Sequence, residues 1–154
     1  MEKSILDDVA ERIKIKAESL IALKTYEGQK IGFEGWFKVE VIAALSKYKV
    51  EIPHNKGPDL SINFMDNETP KLIELKCKNE FTPTLEWIRD GILYYRKKDV
   101  KVDMCLFLLR APEGNEEKKS EEMKKMEAYV NKKYHLKIVS MRNINDDWIV
   151  GILK

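Results

Sequence analysis

The stretch that decides the fold is KGPDLSINFMDNETPKLIELKC, residues 56–77. It contains two short apolar runs, over residues 60–64 and 71–77, and the segment between them is rich in Asp, Asn and Pro. Two apolar runs joined by turn-forming residues are typical of a β-hairpin. The stretch therefore predicts a pair of antiparallel strands, with Asp59 at the start of the first.

The second strand separates its charged and apolar side chains by face. Because side chains alternate along a strand, Glu74 and Lys76 share one face, while the apolar residues around them share the other. A hairpin brings Asp59 opposite Glu74. Two carboxylates and one ammonium then meet at one edge of the sheet. The carboxylate oxygens suit Mg²⁺ or Mn²⁺, and the ammonium suits a phosphate or a water on the metal.

Pro58-Asp59 and Glu74-Leu75-Lys76 together resemble the PD-(D/E)xK signature of the restriction-endonuclease-like nuclease superfamily. Glu-x-Lys alone is not specific, since the pattern also begins at Glu116, Glu117 and Glu122 in a charged segment. The match is specific because here Glu-x-Lys lies inside an apolar strand of a hairpin that follows a Gly-Pro-Asp turn. The resemblance implies an α/β fold with an αβββαβ core over about residues 33–110, in which helices flank a mixed central sheet. The single domain would span residues 1–154, with the first helix and the C-terminal helix and strands as additions.

The resemblance also implies metal-dependent hydrolysis of phosphodiester bonds in DNA, with Mg²⁺ as the cofactor and Mn²⁺ as its substitute. Asp59 and Glu74 would hold the metal together with the main-chain carbonyl of Leu75, and the metal would lower the pKa of an attacking water. Lys76 would orient or deprotonate that water, or stabilise the charge of the transition state. The sequence leaves these roles of the lysine open.

Members of this superfamily often supply a further acid from the helix before the motif, and residues 33–48 are predicted to form that helix. Its apolar stripe surrounds Glu40, where a carboxylate is costly unless it is paired or bound to a metal. We therefore expect Glu40 to point toward Asp59 and to complete the catalytic and metal-binding set. Glu34 lies nearer to solvent and is the second choice. In the alternative interpretation, Glu40 forms a salt bridge with Lys47 or another lysine.

The charges of the hairpin also have a purely structural interpretation. Glu74, Lys76 and Lys78 would then form the solvated face of an amphipathic strand. Three classes of function are considered. The first is a DNA endonuclease that forms a homodimer and is structure-specific or similar to a Holliday-junction resolvase. The second is a catalytically inactive nucleic-acid-binding module of the same fold, and the third is an α/β interaction domain. The complete set of Asp59, Glu74 and Lys76 favours the enzyme.

Length and composition limit these choices. The chain has 154 residues, of which 44% are hydrophobic and 35% charged, as is typical of a folded globular protein. The net charge of +2 is too small to indicate nucleic-acid binding, so any basic surface must be local. No apolar run approaches the length of a membrane span, which predicts a cytoplasmic protein without a membrane partner. Cys77 and Cys105 are expected to be reduced core residues.

The rest of the chain alternates predicted helices and strands. Helices are expected over residues 4–24, 84–98 and 121–134, the last after a charged loop at 113–120. Strands are expected over residues 50–52, 102–109, 136–141 and 148–153, with a turn at 143–147. The helix at 84–98 carries aromatic and basic side chains that could bind DNA or could serve the core and the solvent. It has Asp90 where RecB-like relatives carry a glutamine, four residues before Tyr94, which argues against that branch.

Overall fold

The computed structural model describes residues 1–25, 33–53, 57–65, 68–86, 100 and 102–154, with the backbone alone for 23–25. These residues form a six-stranded mixed sheet with the strand order β1-β2-β3-β4-β6-β5. The strands β3 and β4 are parallel, and the other neighbouring pairs are antiparallel. The strands are β1 (Lys49–Glu51), β2 (Leu60–Asn63), β3 (Lys71–Lys78), β4 (Met104–Arg110), β5 (Ile138–Asn145) and β6 (Trp148–Leu153). The predicted class, α/β with a mixed central sheet, is confirmed.

The helices of the described part are α1 (Glu2–Ile15), α2 (Ala17–Thr25), α3 (Phe33–Ala44) and α4 (Glu116–Tyr134). The single helix predicted over residues 4–24 is wrong, because the chain turns at Lys16. The Lys16 N–H bonds to the carbonyl of Ile13 at 2.9 Å, a three-residue spacing that tightens the turn and ends α1. Helix α3 begins as predicted but ends before residue 48, since the Tyr48 N–H bonds to the carbonyl of Leu45 at 2.9 Å.

The predicted hairpin is confirmed. Strands β2 and β3 are antiparallel, with Leu60 opposite Ile73. The predicted alternation along β3 is also confirmed, because Ile73, Leu75 and Cys77 all belong to one apolar cluster on one face of the sheet. Cys77 and Cys105 are both free thiols, as expected from their places in the strands.

Two apolar clusters cover the two faces of the sheet. Helices α1 and α3 pack with the first cluster, and α4 packs with the second. Strand β4 contributes to both clusters in alternation, as a strand covered on both faces should. Its residues in the first cluster are Met104, Leu106 and Leu108, and those in the second are Cys105, Phe107 and Leu109.

The C-terminal part departs from the predicted bounds at two places. The segment expected to be a charged loop contains the first turn of α4, which begins at Glu116 because Asn115 caps it. The Asn115 side chain accepts a hydrogen bond from the backbone N–H of Lys118 at 2.9 Å, and the acidic first turn favours the helix dipole. The turn between the last two strands is also shorter than predicted, because β5 continues its pairing as far as Asn145, opposite Trp148.

The predicted helix at 84–98, with the basic and aromatic residues that the sequence offers for DNA binding, lies almost entirely outside the described residues. Residues 54–56, in the loop before the motif, also lie outside the described residues. Within the described part of the chain, no helix combines the length and the apolar character that a membrane span requires.

Gly151 of β6 marks a close approach between strands, and Gly35 of α3 is a matched control. A Cβ at position 151 would lie 2.9 Å from Cε1 of Phe107 and 3.0 Å from Cγ of Met141, whereas a Cβ at position 35 would meet no atom within 4 Å. We expect Gly151→Ala to lower the free energy of unfolding by about 1–3 kcal/mol through overpacking. Gly35→Ala should raise it by up to about 1 kcal/mol. Urea denaturation measures both, and a Gly151→Ala protein as stable as its parent would contradict this packing.

Candidate active site at the open edge of strand β3

The candidate site lies where β2 ends and β3 continues. The described pairs between these strands involve residues 71–73 of β3, so residues 74–78 extend beyond the first residue of β2. Asp59 immediately precedes β2, and continuation of the register sets it opposite Glu74. In an antiparallel ladder, opposed residues have their side chains on the same face. The register therefore sets both acids of the predicted motif on one face, at a point where no described strand pairs with this edge of β3.

The Asp59 carboxylate takes the place of a strand partner for β3. Its Oδ2 accepts a hydrogen bond from the backbone N–H of Leu75 at 2.9 Å. Its Oδ1 accepts one from Lys38 Nζ of α3 at 3.1 Å. These two hydrogen bonds, one to each oxygen, fix the orientation of the Asp59 carboxylate. The sequence predicts the position of Asp59 at the start of the strand but not this orientation.

Glu74 and Lys76 form a close and largely buried ion pair. Lys76 Nζ lies 2.7 Å from Glu74 Oε1, and the two side chains are 19% and 4% exposed. A carboxylate buried to this extent is costly unless a cation neutralises it, and here the lysine two residues along the strand does so. The interpretation of these residues as a solvated strand face is therefore wrong for Glu74.

The electrostatics of the site keep Lys76 positively charged. Burial on its own lowers the pKa of Lys76, but the hydrogen bond to Glu74 and the negative charges of Glu74, Glu34 and Asp59 outweigh it, and the pKa is raised above its ordinary value. Burial raises the pKa of the neighbouring Cys77 thiol to about 12, with the charge of Glu34 adding to the effect. The ammonium of Lys76 is thus the stable form in the metal-free site, while Cys77 stays a thiol.

The two acids predicted from α3 occupy different places. Glu34 reaches the motif, with its Oε1 3.6 Å from Lys76 Nζ, and its side chain is 53% exposed. Glu40 is buried as expected, but its Oε2 accepts a hydrogen bond from Arg12 Nε of α1 at 2.6 Å. The alternative interpretation, a salt bridge of Glu40 with Lys47 or another lysine, is corrected too, since Glu40 pairs with Arg12 and Lys47 pairs with Asp8 at 2.7 Å.

Helix geometry explains this division. Glu34 and Lys38 are four residues apart, so they lie one above the other on the same face of α3, toward the motif. Glu40 follows Glu34 by six residues, which turns it to another face, where α1 packs. Helix α3 packs on the face of the sheet that contains Leu75, whereas Lys76 belongs to the opposite face. The contact between Glu34 and Lys76 therefore passes around the edge of β3.

The donor atoms of the site fit a magnesium or manganese ion that completes its shell with waters and substrate oxygens. Among the described residues, no group of three or more His, Cys, Asp and Glu side chains is arranged as a metal site. Mg²⁺ does not require such a cage, because it is commonly bound through one or two carboxylates and keeps several waters. Asp59 and Glu74 supply two carboxylates at the same end of β3, and their hard oxygen donors suit that chemistry.

Two residues with important contacts, Lys38 at the site and Arg12 beside Glu40, were not predicted from the sequence. Lys38 could have been predicted from the sequence, since it lies one helical turn after Glu34 on the same face of the helix. No sequence pattern indicates Arg12, because only the tertiary packing of α1 on α3 brings it to Glu40.

Comparison of the chain with protein-family models, with curated proteins and with solved structures found no match.

The same substitution should affect stability strongly at Glu40 and weakly at Glu34. Glu40→Gln leaves Arg12 beside a neutral, buried side chain, so we expect the free energy of unfolding to fall by about 1–3 kcal/mol. Glu34→Gln changes an exposed contact and should alter it by less than about 0.5 kcal/mol. Urea denaturation of the two variants checks this, and an equal loss of stability in both would contradict the structural role of Glu40.

The ammonium of Lys76 should lose its proton at a higher pH than a lysine of the unfolded chain does. A lysine pKa that is raised on folding gives stability that is fully present below the unfolded value of about 10.4 and is lost as the pH rises through the folded value. We therefore expect the ¹³Cε signal of Lys76, assigned with Lys76→Arg, to remain that of an ammonium at pH ~10.5 in metal-free protein. A signal that is half titrated at or below this pH would exclude the ion pair with Glu74 as described.

Proposed function

We propose that this chain is a metal-dependent deoxyribonuclease that hydrolyses phosphodiester bonds, with a restriction-endonuclease-like core formed by α3, β1, β2, β3 and β4. The observation that carries the proposal is the convergence of Asp59, Glu74 and Lys76 at the open end of β3, with Asp59 held by Leu75 N–H at 2.9 Å and Lys76 held by Glu74 at 2.7 Å. Buried charges with a strongly perturbed pKa, such as Lys76, cluster at functional sites. This geometry supports the resemblance of the motif.

Each residue has a role that its contacts allow. Asp59 and Glu74 would hold Mg²⁺ or Mn²⁺ together with the main-chain carbonyl of Leu75. The bound ion supplies Lewis-acid polarisation of the phosphate and a lower pKa for the attacking water. Lys76 would orient the attacking water, take a proton from it, or stabilise the charge of the transition state.

Glu34 is the helix acid that the contacts favour for this reaction. Its carboxylate lies 3.6 Å from Lys76 Nζ and is open to solvent, so it can hold a water beside the ammonium. Glu40 is engaged with Arg12, and we assign it to the packing of α3 on α1. The catalytic set that we propose is therefore Asp59, Glu74 and Lys76 with Glu34.

The substrate and the assembly follow from the motif and from general requirements of the reaction. DNA is the substrate that the resemblance implies, including branched DNA of the kind that a Holliday-junction resolvase cuts. Cutting both strands of a duplex requires two active sites, which a homodimer with two-fold symmetry would provide. A cytoplasmic location fits such a substrate.

Replacement of Lys76 separates an active enzyme from an inactive binding module. We expect Lys76→Ala to bind DNA and Mn²⁺ but to cut about 10²–10³ times more slowly, the scale for loss of one electrostatic stabiliser. Single-turnover cleavage with excess protein, on duplex, branched and single-stranded DNA in Mg²⁺ or Mn²⁺, measures this. Lys125→Ala is the control, because Lys125 also pairs with a glutamate, Glu121 at 2.9 Å, but on the exposed surface of α4.

The loss of Lys76 also leaves Glu74 buried without its cation, so folding must be verified by thermal unfolding and Lys76→Arg included as a charged variant. A parent protein that cuts none of the three substrates with either metal would remove the enzymatic proposal and favour the inactive module. Unchanged cutting by Lys76→Ala would show that Lys76 is not the catalytic lysine.

A further inference from the structure

The site contains a second lysine that the motif does not include. Lys38 of α3 donates to Oδ1 of Asp59 at 3.1 Å, and its side chain is 26% exposed. The other oxygen of the same carboxylate is held by the N–H of Leu75. The oxygen of Asp59 that faces away from the β3 backbone is thus covered by an ammonium.

A divalent cation on Asp59 must compete with that ammonium. Ligand oxygens lie about 2.1 Å from Mg²⁺, so a cation on Oδ1 would stand close to the present position of Lys38 Nζ. Two like charges at such a distance repel strongly in a partly buried site. The lysine can leave, because its side chain is long and flexible and already reaches solvent. Lys76 is different, since its partner Glu74 is almost fully buried.

The formal charges show what the exchange would do. Asp59, Glu74 and Glu34 carry three negative charges, while Lys38 and Lys76 carry two positive charges, which leaves −1 in the metal-free site. Addition of one divalent cation changes this sum to +1. A site that becomes positive attracts a phosphate, and a released lysine beside it can contact one.

We propose that Lys38 is a counter-ion of Asp59 that a divalent cation displaces, and that the displaced ammonium then binds a backbone phosphate of the DNA. The inference rests on the proposed function and assigns Lys38 to substrate binding. It couples the two ligands, because metal binding frees the lysine that the DNA requires.

The first experiment measures Mn²⁺ binding to metal-free protein by calorimetry, without DNA. Lys38→Met removes the competing ammonium, so its Kd for Mn²⁺ should be about two- to fivefold lower than that of the parent, as expected for one partly exposed ion pair. Lys38→Arg, which keeps the charge, should resemble the parent. Lys125→Ala should leave the Kd unchanged, and Lys38→Gln replaces Lys38→Met if the methionine variant is unfolded by circular dichroism.

The second experiment measures affinity for duplex DNA as a function of KCl, in a Lys76→Ala background that slows cutting enough for binding to be measured. In Mn²⁺, Lys38→Met should reduce the slope of log Kobs against log salt by about 0.9, the value for one lost phosphate contact. In EDTA the slope should not change, because Lys38 then remains on Asp59.

The outcomes separate this inference from the proposed function. Unchanged or weaker Mn²⁺ binding by folded Lys38→Met overturns the counter-ion role. A slope that the substitution leaves unchanged in Mn²⁺, or lowers equally in EDTA, overturns the phosphate contact. In either case a parent that binds Mn²⁺ and cuts DNA keeps the proposed function. A parent that binds no Mn²⁺ and cuts no DNA removes both.

Discussion

A negative charge buried in the sheet is the constraint on which the arrangement of the site depends. Glu74 is 3% exposed on a strand whose parallel neighbour places Cys105 beside it, so its charge needs a cation within the protein. Lys76 provides that cation because it lies two residues along the strand on the same face. A longer β2 would pair with residues 74–76 and would close the space in which Lys76 meets Glu34. The short first strand of the hairpin is therefore a condition for the charge cluster.

The position of α3 depends in turn on a helix outside the segment that resembles the nuclease core. Helix α1 holds α3 and the turns after it through two ion pairs, Arg12 with Glu40 at 2.6 Å and Asp8 with Lys47 at 2.7 Å. Glu34 reaches the motif from the same helix that Glu40 anchors. The N-terminal helix is thus part of the framework that orients the site, although it contributes no group to the charge cluster.

The parts that could be predicted from the sequence depend on local pattern, and the rest depends on tertiary partners. The hairpin and the faces of β3 follow from a two-residue period and hold in the structure. The start of α4 was also readable, because Asn115 before two glutamates is a helix-capping pattern. The placement of Glu40 was not, since its partner Arg12 lies 28 residues earlier in the chain. Burial of Glu40 was predictable, but the cation that compensates it was not.

The packing of α1 has a consequence for the order of events during synthesis. Arg142 Nε of β5 bonds to Asp7 Oδ1 at 2.7 Å, across 135 positions of the chain, and α1 packs against β5 and β6. Helix α1 is synthesised before β5 and β6, so its apolar stripe can pack on these strands only after both have emerged from the ribosome. Until then α1 cannot cover its part of the first apolar cluster. Closure of such distant contacts is slow, so part of the apolar surface of α1 stays exposed until β5 and β6 have been synthesised.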